Sequence, residues 1–578
     1  MTSTENFTAI WVLDFEFTQP SGGVPVPICM VGHEIRRGQS MRLWLDGAES
    51  AGSPVEFTDD TLFVAFFASA EVSCFSVLGW PQPPHVLDLY AEFRAYTNGQ
   101  VLPAGRGLHG ALRYFGITDV DTVEKDSMRE LAMRGGPYTL KEQQGLLTYC
   151  AHDVEGTVKL FHKMESLFDG PRSLLRGAYM AAVAQIELKG IPIDTELAQR
   201  LERNWEQVKG QLIADVDRGY SVYDGTAFSN RKFETYLSTQ GIPWPRLASG
   251  RLALDDETFK SMAVAYPTLG PLRELRKTLG ALRAFSLPVG ADGRARCLLS
   301  PFSSKTGRNQ PSNSKFIFGF PAWLRSLLRP PPGYGLAYID WAQQEFGIAA
   351  ALSGDSAMQQ AYDSGDPYLE FAKQAGAVPV SATKSTHKAE RDQFKACVLA
   401  VQYGMGAESL AQRINQPIVQ ARRLLELHRR TYPTFWAWSD AAQDYAMLHG
   451  AIHTTYGWRY HVGADNNPRS LRNFPMQANG AEMLRIACVL CAEAGIAVCA
   501  PVHDAILIEA PLALLDDHID QARALMAQAS EHVLAGFRLN TDVDPIRYPD
   551  RLADPRGVDL FTRVVGILDD IEGHSDVP

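Results

Sequence analysis

The 578-residue sequence predicts an α/β protein of several domains, and three observations carry that expectation. Hydrophobic residues make up 46% of a chain long enough for about three or four domain-sized units, so several substantial cores are expected. Short apolar runs associated with acidic residues, at residues 10–17, 334–340 and 496–502, read as buried strands. Helical periodicity dominates elsewhere, over residues 170–300, 390–402 and 483–494.

In the first run, Asp14 and Glu16 stand at i and i+2 and share one face of a hydrophobic strand. Two carboxylates on one side of a core strand repel each other unless a cation lies between them. Further on, Tyr149 precedes Asp153 by four residues, which sets both on one face of a helix. In the run at 334–340, Leu336, Tyr338 and Asp340 share a face, and Asp340 ends an otherwise apolar segment. An acid there suits a metal ligand or the N-cap of the helix that follows, and both readings stand on the local sequence. Arg391, Lys395, Leu399 and Tyr403 recur at i, i+4, so a helix over 390–402 presents them as one stripe, cationic at one end and apolar at the other. The run at 496–502 leads into His503-Asp504 and a second apolar run, the pattern of a hairpin with an acid at its tip or just inside its second strand. Two carboxylates from distant strands, faced by a basic helix, suit two divalent metals and a triphosphate, the chemistry of nucleotidyl transfer.

These segments resemble family A DNA polymerases. The family's first motif, Asp-Tyr-Ser-Gln-Ile-Glu, stands here as Asp340-Trp341-Ala342-Gln343-Gln344-Glu345. The second, Arg-x3-Lys-x3-Phe/Tyr-Gly-x2-Tyr-Gly, matches at Arg391, Lys395, Leu399, Ala400, Tyr403 and Gly404. The third, His-Asp-Glu, matches at His503-Asp504-Ala505, and further matches are Thr306-Gly307-Arg308 and Asn473-Phe474-Pro475-Met476-Gln477. Five motifs in family order over about two hundred residues carry far more weight than any one of them.

The resemblance implies a template-directed DNA polymerase that extends a primer with dNTPs. Asp340 and Asp504 would bind two Mg2+ ions, with Mn2+ accepted by the same oxygen donors. Arg391 and Lys395 would grip the triphosphate, and Leu399, Tyr403, Gln343 and Glu345 would line the nucleotide pocket. Glu345 resembles the family's gate against a ribose 2′-hydroxyl and would pair with Tyr403. Arg308, Asn473, Gln477 and His503 match positions that contact the primer-template, where the minor groove offers a largely sequence-independent pattern. Three departures stand out: Leu399 replaces a stacking ring, Ala505 replaces a glutamate, and Gly347 replaces an arginine. The lost glutamate is the more dispensable acid, so activity is expected to survive, while the Leu399 pocket bears on nucleotide choice.

The N-terminal region resembles a DEDD-type 3′–5′ exonuclease with a Tyr-x3-Asp third motif. Asp14, Glu16 and Asp153 would bind two metals, and Tyr149 would orient the attacking water. The second motif departs most: alignment from the strand at 63–65 places Phe67 at the family's Asn and Ala70-Glu71 at its last two positions. Glu71 would act as the remaining ligand through its longer arm, although a shift of about 1 Å can cost roughly a hundredfold in rate. Asp88 fits a later family aspartate and is not expected to hold metal. An active exonuclease is expected, against the alternative of a retained fold with weakened proofreading.

The expected organisation is therefore an RNase H-like exonuclease domain (1–168) followed by a right-hand polymerase: thumb (169–300), first palm segment (301–350), fingers (351–450), and second palm segment with a tail (451–578). The tail beyond Tyr548 has no assigned role and is expected to be partly disordered. A compact exonuclease–polymerase arrangement, without room for a 5′ nuclease before Asp14, suits phage-type genome replication. Primer-template DNA and dNTPs are the expected partners, a replisome or processivity factor a further one, and a monomer the expected state. The net charge of −11 and pI near 5.7 argue against a histone-like or coating protein, while local basic grooves can still hold DNA. No apolar run reaches about 18 residues and the start lacks a basic n-region, so a cytoplasmic protein is expected, with no membrane segment. Cys488 and Cys491 lie in an apolar helical stretch and read as buried core residues rather than a zinc site. Two rival classes stay open: a single-subunit RNA polymerase and a non-catalytic primer-template scaffold.

Overall fold

The computed structural model describes residues 3–45, 52–118, 125–281, 287–463 and 467–575. The N-terminal domain is built on a five-stranded sheet of order β3-β2-β1-β4-β5. Its strands are β1 (Ala9–Thr18), β2 (Val26–Glu34), β3 (Gln39–Trp44), β4 (Thr61–Ala65) and β5 (Val86–Asp88). β1 pairs antiparallel with β2 and parallel with β4.

Strand parity divides the core. Ile10 and Val12 pack among Leu146, Cys150 and Val154 of the long helix Leu140–Met164, while Leu13 and Phe15 pack among Phe63, Phe75 and Trp80 on the other side. Asp14 and Glu16 continue the Ile10–Val12 parity and so lie on the side of the long helix, which carries Tyr149 and Asp153. The long helix starts at a capping box, with Thr139 and Glu142 each bonding the other's backbone N–H.

The helix Pro171–Lys189 joins the domains. It packs against β5 and the helix Ala68–Val77 on one side and against the helix Pro468–Glu493 on the other, a connecting position rather than the expected thumb. Gly177 permits the approach, because a Cβ there would lie 1.8 Å from the Val86 carbonyl oxygen. Beside it, Arg176 donates to both carboxylate oxygens of Glu92, at 2.5 and 2.9 Å, and Ser173 donates a third bond at 2.8 Å. All three side chains are buried.

The C-terminal sheet has four antiparallel strands, in the order Ala497–Val502, Ala505–Pro511, Tyr334–Trp341 and Thr541–Arg547. Their apolar residues pack with the helices Pro468–Glu493 and Leu515–Val533, and Cys488 and Cys491 are buried in that core as expected. The buried Glu509 is held by Arg294 at 2.7 and 2.8 Å and by Lys189 at 2.6 Å, which ties the sheet to the connector. The helix-rich block over 344–449 stands beyond one end of this sheet and contains Lys388–Gln402, close to the predicted helix.

The tail differs from expectation. Residues 558–575 form a helix that rests on the helix Thr195–Asp217, with Arg200 bonded to Asp569 and Glu572 at 2.6 and 2.7 Å and Arg563 bonded to Asp215 at 2.9 Å. Its buried Val564 and Leu568 supply the reason, since they give an amphipathic helix an apolar face to dock. The leucine-rich run expected over 271–287 is helical as far as Ala281, and residues 282–286 lie outside the described residues.

Arg176→Met would leave Glu92 buried with its charge uncompensated. Stability should fall by about 3–5 kcal/mol, read as an earlier first transition in chemical denaturation.

Candidate active site

The C-terminal site is fixed by strand register. On Tyr334–Trp341, Asp340 lies directly between Ala505 of one neighbouring strand and Asp542 of the other, and cross-strand partners share a face. Tyr338 stands opposite Asp544 in the same way. His503 and Asp504 form the tip of the hairpin between Ala497–Val502 and Ala505–Pro511. His503 takes a left-handed backbone, φ 58°, and the Asp504 carbonyl accepts from Trp341 N at 3.2 Å, which holds the tip against the end of the Asp340 strand.

Asp340 is not a helix cap. The following helix begins at Gln344, and Gln343 occupies the cap position in a left-handed conformation with no side-chain cap bond. Burial first, then the charges of Asp504, Asp542 and Asp544, push the Asp340 carboxyl up to about 6. Asp504 is also raised by burial, against the pull of Arg308 and His503.

Glu345, in the first turn of that helix, faces Arg308 at 3.8 Å, and Gln477 and Tyr403 also favour its ionised form. Its carboxyl is raised by burial, with Arg308 opposing. Tyr403 follows the last turn of Lys388–Gln402, the helix that carries Arg391, Lys395 and Leu399. The Arg391 guanidinium and the Lys395 ammonium both lie 5.5 Å from the centre of the Tyr368 ring, and Arg391 is bonded to Asp366, the cap of the helix Pro367–Gln374. Asn473 and Gln477 project from the first half of Pro468–Glu493. Asn473 Oδ1 and Arg308 Nε are buried with no hydrogen-bond partner among the described residues, an arrangement suited to a polar ligand.

The N-terminal site gathers its predicted residues too. Ligand atoms of Asp14, Glu16 and Cys150 lie within 4.8 Å of one another. Glu71, on the helix Ala68–Val77, accepts from Phe15 N at 2.8 Å; its carboxyl is raised by burial first, then by Asp14, Glu16 and Asp153. Burial, then the charges of Asp153, Glu16 and Asp14, raise the Tyr149 hydroxyl well above its ordinary range. Phe67, at φ 76°, turns the chain left-handed into the Glu71 helix, and such a non-glycine conformation is stored strain. Asp88 serves structure instead, since its carboxylate caps the helix Leu89–Thr97 and accepts from Ala68 N and Ala91 N at 2.5 and 2.7 Å. A cleft of about 880 Å³ opens over Asp14, Glu16, Tyr149 and Asp153, and Arg129 and Lys315 also line it.

Both carboxylate groups fit divalent cations on their own chemistry: hard oxygen donors crowded where burial and mutual repulsion disfavour ionisation. Sequence reasoning missed Asp542 and Asp544, although their i, i+2 spacing in 541–547 carries the same signal as Asp14 and Glu16. It also missed the contact of Cys150, whose thiol donates to the Asp14 carbonyl at 3.1 Å.

Comparison with known proteins agrees with this geometry. Residues 319–544 match the family model described as DNA polymerase family A. DNA polymerase I of Deinococcus radiodurans is 25% identical over 408 residues, covering 65% of this chain and 40% of that protein. The DNA polymerase of Mycobacterium phage D29 is 25% identical over 415 residues, covering 68% of this chain and 66% of the relative. DNA polymerase I of Aquifex aeolicus is 23% identical, covering 60% and 64%. The chain thus spans between about two fifths and two thirds of the length of these relatives. The POL domain of Pol1 from M. smegmatis, solved in complex with DNA primer-template and dNTP, superposes with a TM-score of 0.72 at 18% identity, covering 94% of this chain and 96% of that one, which shows a shared fold. The segment that matches the family model, residues 319–544, holds the Asp340 and Asp504 strands and the helices that face them.

Proposed function

We propose that the protein is a DNA-directed DNA polymerase with a 3′–5′ proofreading exonuclease, serving replication of a phage-type genome in the cytoplasm. The observation that carries the reading is the strand register that sets Asp340 against the Asp504 hairpin tip, with Glu345 facing Arg308 beside them and the Arg391–Lys395 helix leading away. The relatives named as DNA polymerases, two of them from bacteria and one from a mycobacterial phage, support it. Among the described residues no helix is long and apolar enough to cross a membrane.

Asp340 and Asp504, and in the N-terminal cleft Asp14, Glu16, Glu71 and Asp153, would each hold a pair of Mg2+ ions, which when bound would supply Lewis-acid chemistry for activating a 3′-hydroxyl or a water and for offsetting leaving-group charge. The chain's own residues do the rest. Arg391 and Lys395 bind the triphosphate, and Arg391 exchanges its bond to Asp366 for phosphate oxygens. Glu345, facing Arg308, closes the space a 2′-hydroxyl would occupy, which favours dNTPs over rNTPs. Leu399 offers the incoming base an aliphatic surface in place of a ring. Arg308, Asn473, Gln477 and His503 hold the primer-template. In the N-terminal cleft Tyr149, which lines it with Asp153, orients the attacking water. A monomer bound to primer-template and dNTPs is the working unit, with a processivity factor as an added partner.

The reading is tested by extension of an end-labelled primer-template in Mg2+, and DNA binding without either extension or shortening would replace it with the scaffold reading. Asp340→Asn should abolish extension while raising the stability of the metal-free protein. The Asp340 pKa of about 6 lies above its unfolded value of 3.8, so the folded state binds more protons between those values and loses stability as pH rises through that window. Discounted for partial exposure, the gain at pH 7–8 should be about 1–2 kcal/mol and vanish below about pH 4; a variant no more stable than wild type at pH 8 would count against the burial of that charge. Glu345→Ala should raise ribonucleotide incorporation relative to deoxyribonucleotide by about 10–100-fold. Asp14→Ala should end primer shortening in the absence of nucleotide and leave extension intact.

A further inference from the structure

Arg308 reaches the nucleotide pocket from a loop, residues 300–309, whose conformation is costly. Ser300 and Phe302 both take left-handed backbones, φ 49° and 57°, and neither is glycine. Non-glycine residues in that region are strained and persist only where their surroundings over-determine them. Part of that surrounding is the C-terminal domain. The fully buried Phe302 ring stacks on Trp458 at 5.4 Å under the Arg485 guanidinium, Trp458 Nε1 donates to the Lys305 carbonyl at 3.0 Å, and Arg485 donates to the Gly307 carbonyl at 2.7 Å.

The other part comes from the N-terminal domain. Arg94, on the helix Leu89–Thr97, is 1% exposed and forms no ion pair among the described residues. Its guanidinium donates instead to the backbone carbonyls of Phe302 and Ser303, at 3.2 and 3.3 Å. Asn98, also 1% exposed, donates through one amide nitrogen to the carbonyls of Lys305 and Arg459, at 2.7 and 2.8 Å. His461 N donates to the Asn98 carbonyl at 2.9 Å, so the contact closes on both sides of Asn98. A buried arginine without a carboxylate is an expensive group, and here it is committed to the carbonyls of a strained loop on another domain. That loop carries Arg308, which faces Glu345 and whose charge favours the ionised Asp504 and the neutral His503.

We propose that Arg94 and Asn98 are positioning residues for Arg308, so that the exonuclease-like domain builds one wall of the polymerase's primer-template grip. The inference rests on the polymerase reading above. It makes the two domains one unit for DNA binding at the C-terminal site, although the acids of the N-terminal site take no part in the contact.

The test is a double-mutant cycle read by binding, not by turnover. The Kd for a fluorescent primer-template is measured by anisotropy in EDTA, without nucleotide, for wild type, Arg94→Met, Arg308→Ala and the double variant. If Arg94 acts through Arg308, Arg94→Met weakens binding by about tenfold in the wild-type background and leaves Arg308→Ala essentially unchanged. Arg94→Lys, which keeps a donor for one carbonyl, should recover part of the loss. Equal weakening in both backgrounds, or unaltered binding by Arg94→Met, overturns the inference while the polymerase reading stands. Failure of wild type itself to bind primer-template overturns both. Should Arg94→Met fail to fold by its melting curve, Asn98→Ala in the same cycle decides the matter by the same criterion.

Discussion

Asp340 stands on a β-strand with an acid opposite it on one neighbouring strand, another at the adjacent hairpin tip and a third two residues along the sheet edge. Like charges at such spacing in a partly buried place oppose folding, and nothing in the apolar layers beneath them relieves that cost. What permits it is the rigidity of the sheet. The apolar partners of the helices Pro468–Glu493 and Leu515–Val533 fix the strands, and the strands fix the register that puts Asp340 between Ala505 and Asp542. The N-terminal site repeats the solution: β1 is held by the parity of Ile10, Val12, Leu13 and Phe15, and Asp14 and Glu16 follow from that parity whether or not their charges are comfortable. In both sites the core dictates the position of the acids and the acids specify the ligand.

Much of this was legible because the decisive features are local. Strand alternation placed Asp14 with Glu16, the i, i+4 rule placed Tyr149 near Asp153 and aligned Arg391 through Tyr403, and an apolar–His-Asp–apolar pattern gave the hairpin. Less legible were contacts set by how elements meet. Asp542 is 38 residues beyond Asp504 at the hairpin tip, and only the edge pairing with Tyr334–Trp341 brings it beside Asp340. Asp366 lies before a proline and reads as a helix cap, which it is; its second bond, to Arg391, depends on two helices crossing. The choice between cap and metal ligand at Asp340 was undecidable from local sequence, because it turned on Gln343 adopting a left-handed turn that starts the helix later. The tail was misjudged for a similar reason: its acids look solvated until the helix Thr195–Asp217 presents Arg200 to them.

The N-terminal and C-terminal sites differ in how they tolerate departures from the family pattern. In the N-terminal site Glu71 occupies a fully enclosed position and spends one oxygen on Phe15 N, so its longer side chain is anchored rather than free to swing. Anchoring limits the geometric error that a longer arm would otherwise bring, and precision of about an ångström is what such a site needs. In the C-terminal site the loss of the acid at Ala505 leaves a methyl group on one side of Asp340, while Asp542 adds a carboxylate on the other. The negative charge on that face is therefore redistributed across the sheet rather than removed.

Domain boundaries drawn by function cut across the energetics. The connector Pro171–Lys189 is pinned to the N-terminal domain by the buried Arg176–Glu92 pair and the Gly177 approach, and to the C-terminal sheet by Lys189 with Glu509. A second set of buried bonds joins the helix Leu89–Thr97 and Asn98 to the loop at 300–309. Moving the N-terminal domain away from the connector and the loop would have to break both sets at once and leave Arg94 and Glu92 buried without partners, which is far costlier than sliding a wet interface. These buried bonds therefore hold the two domains in one relative placement.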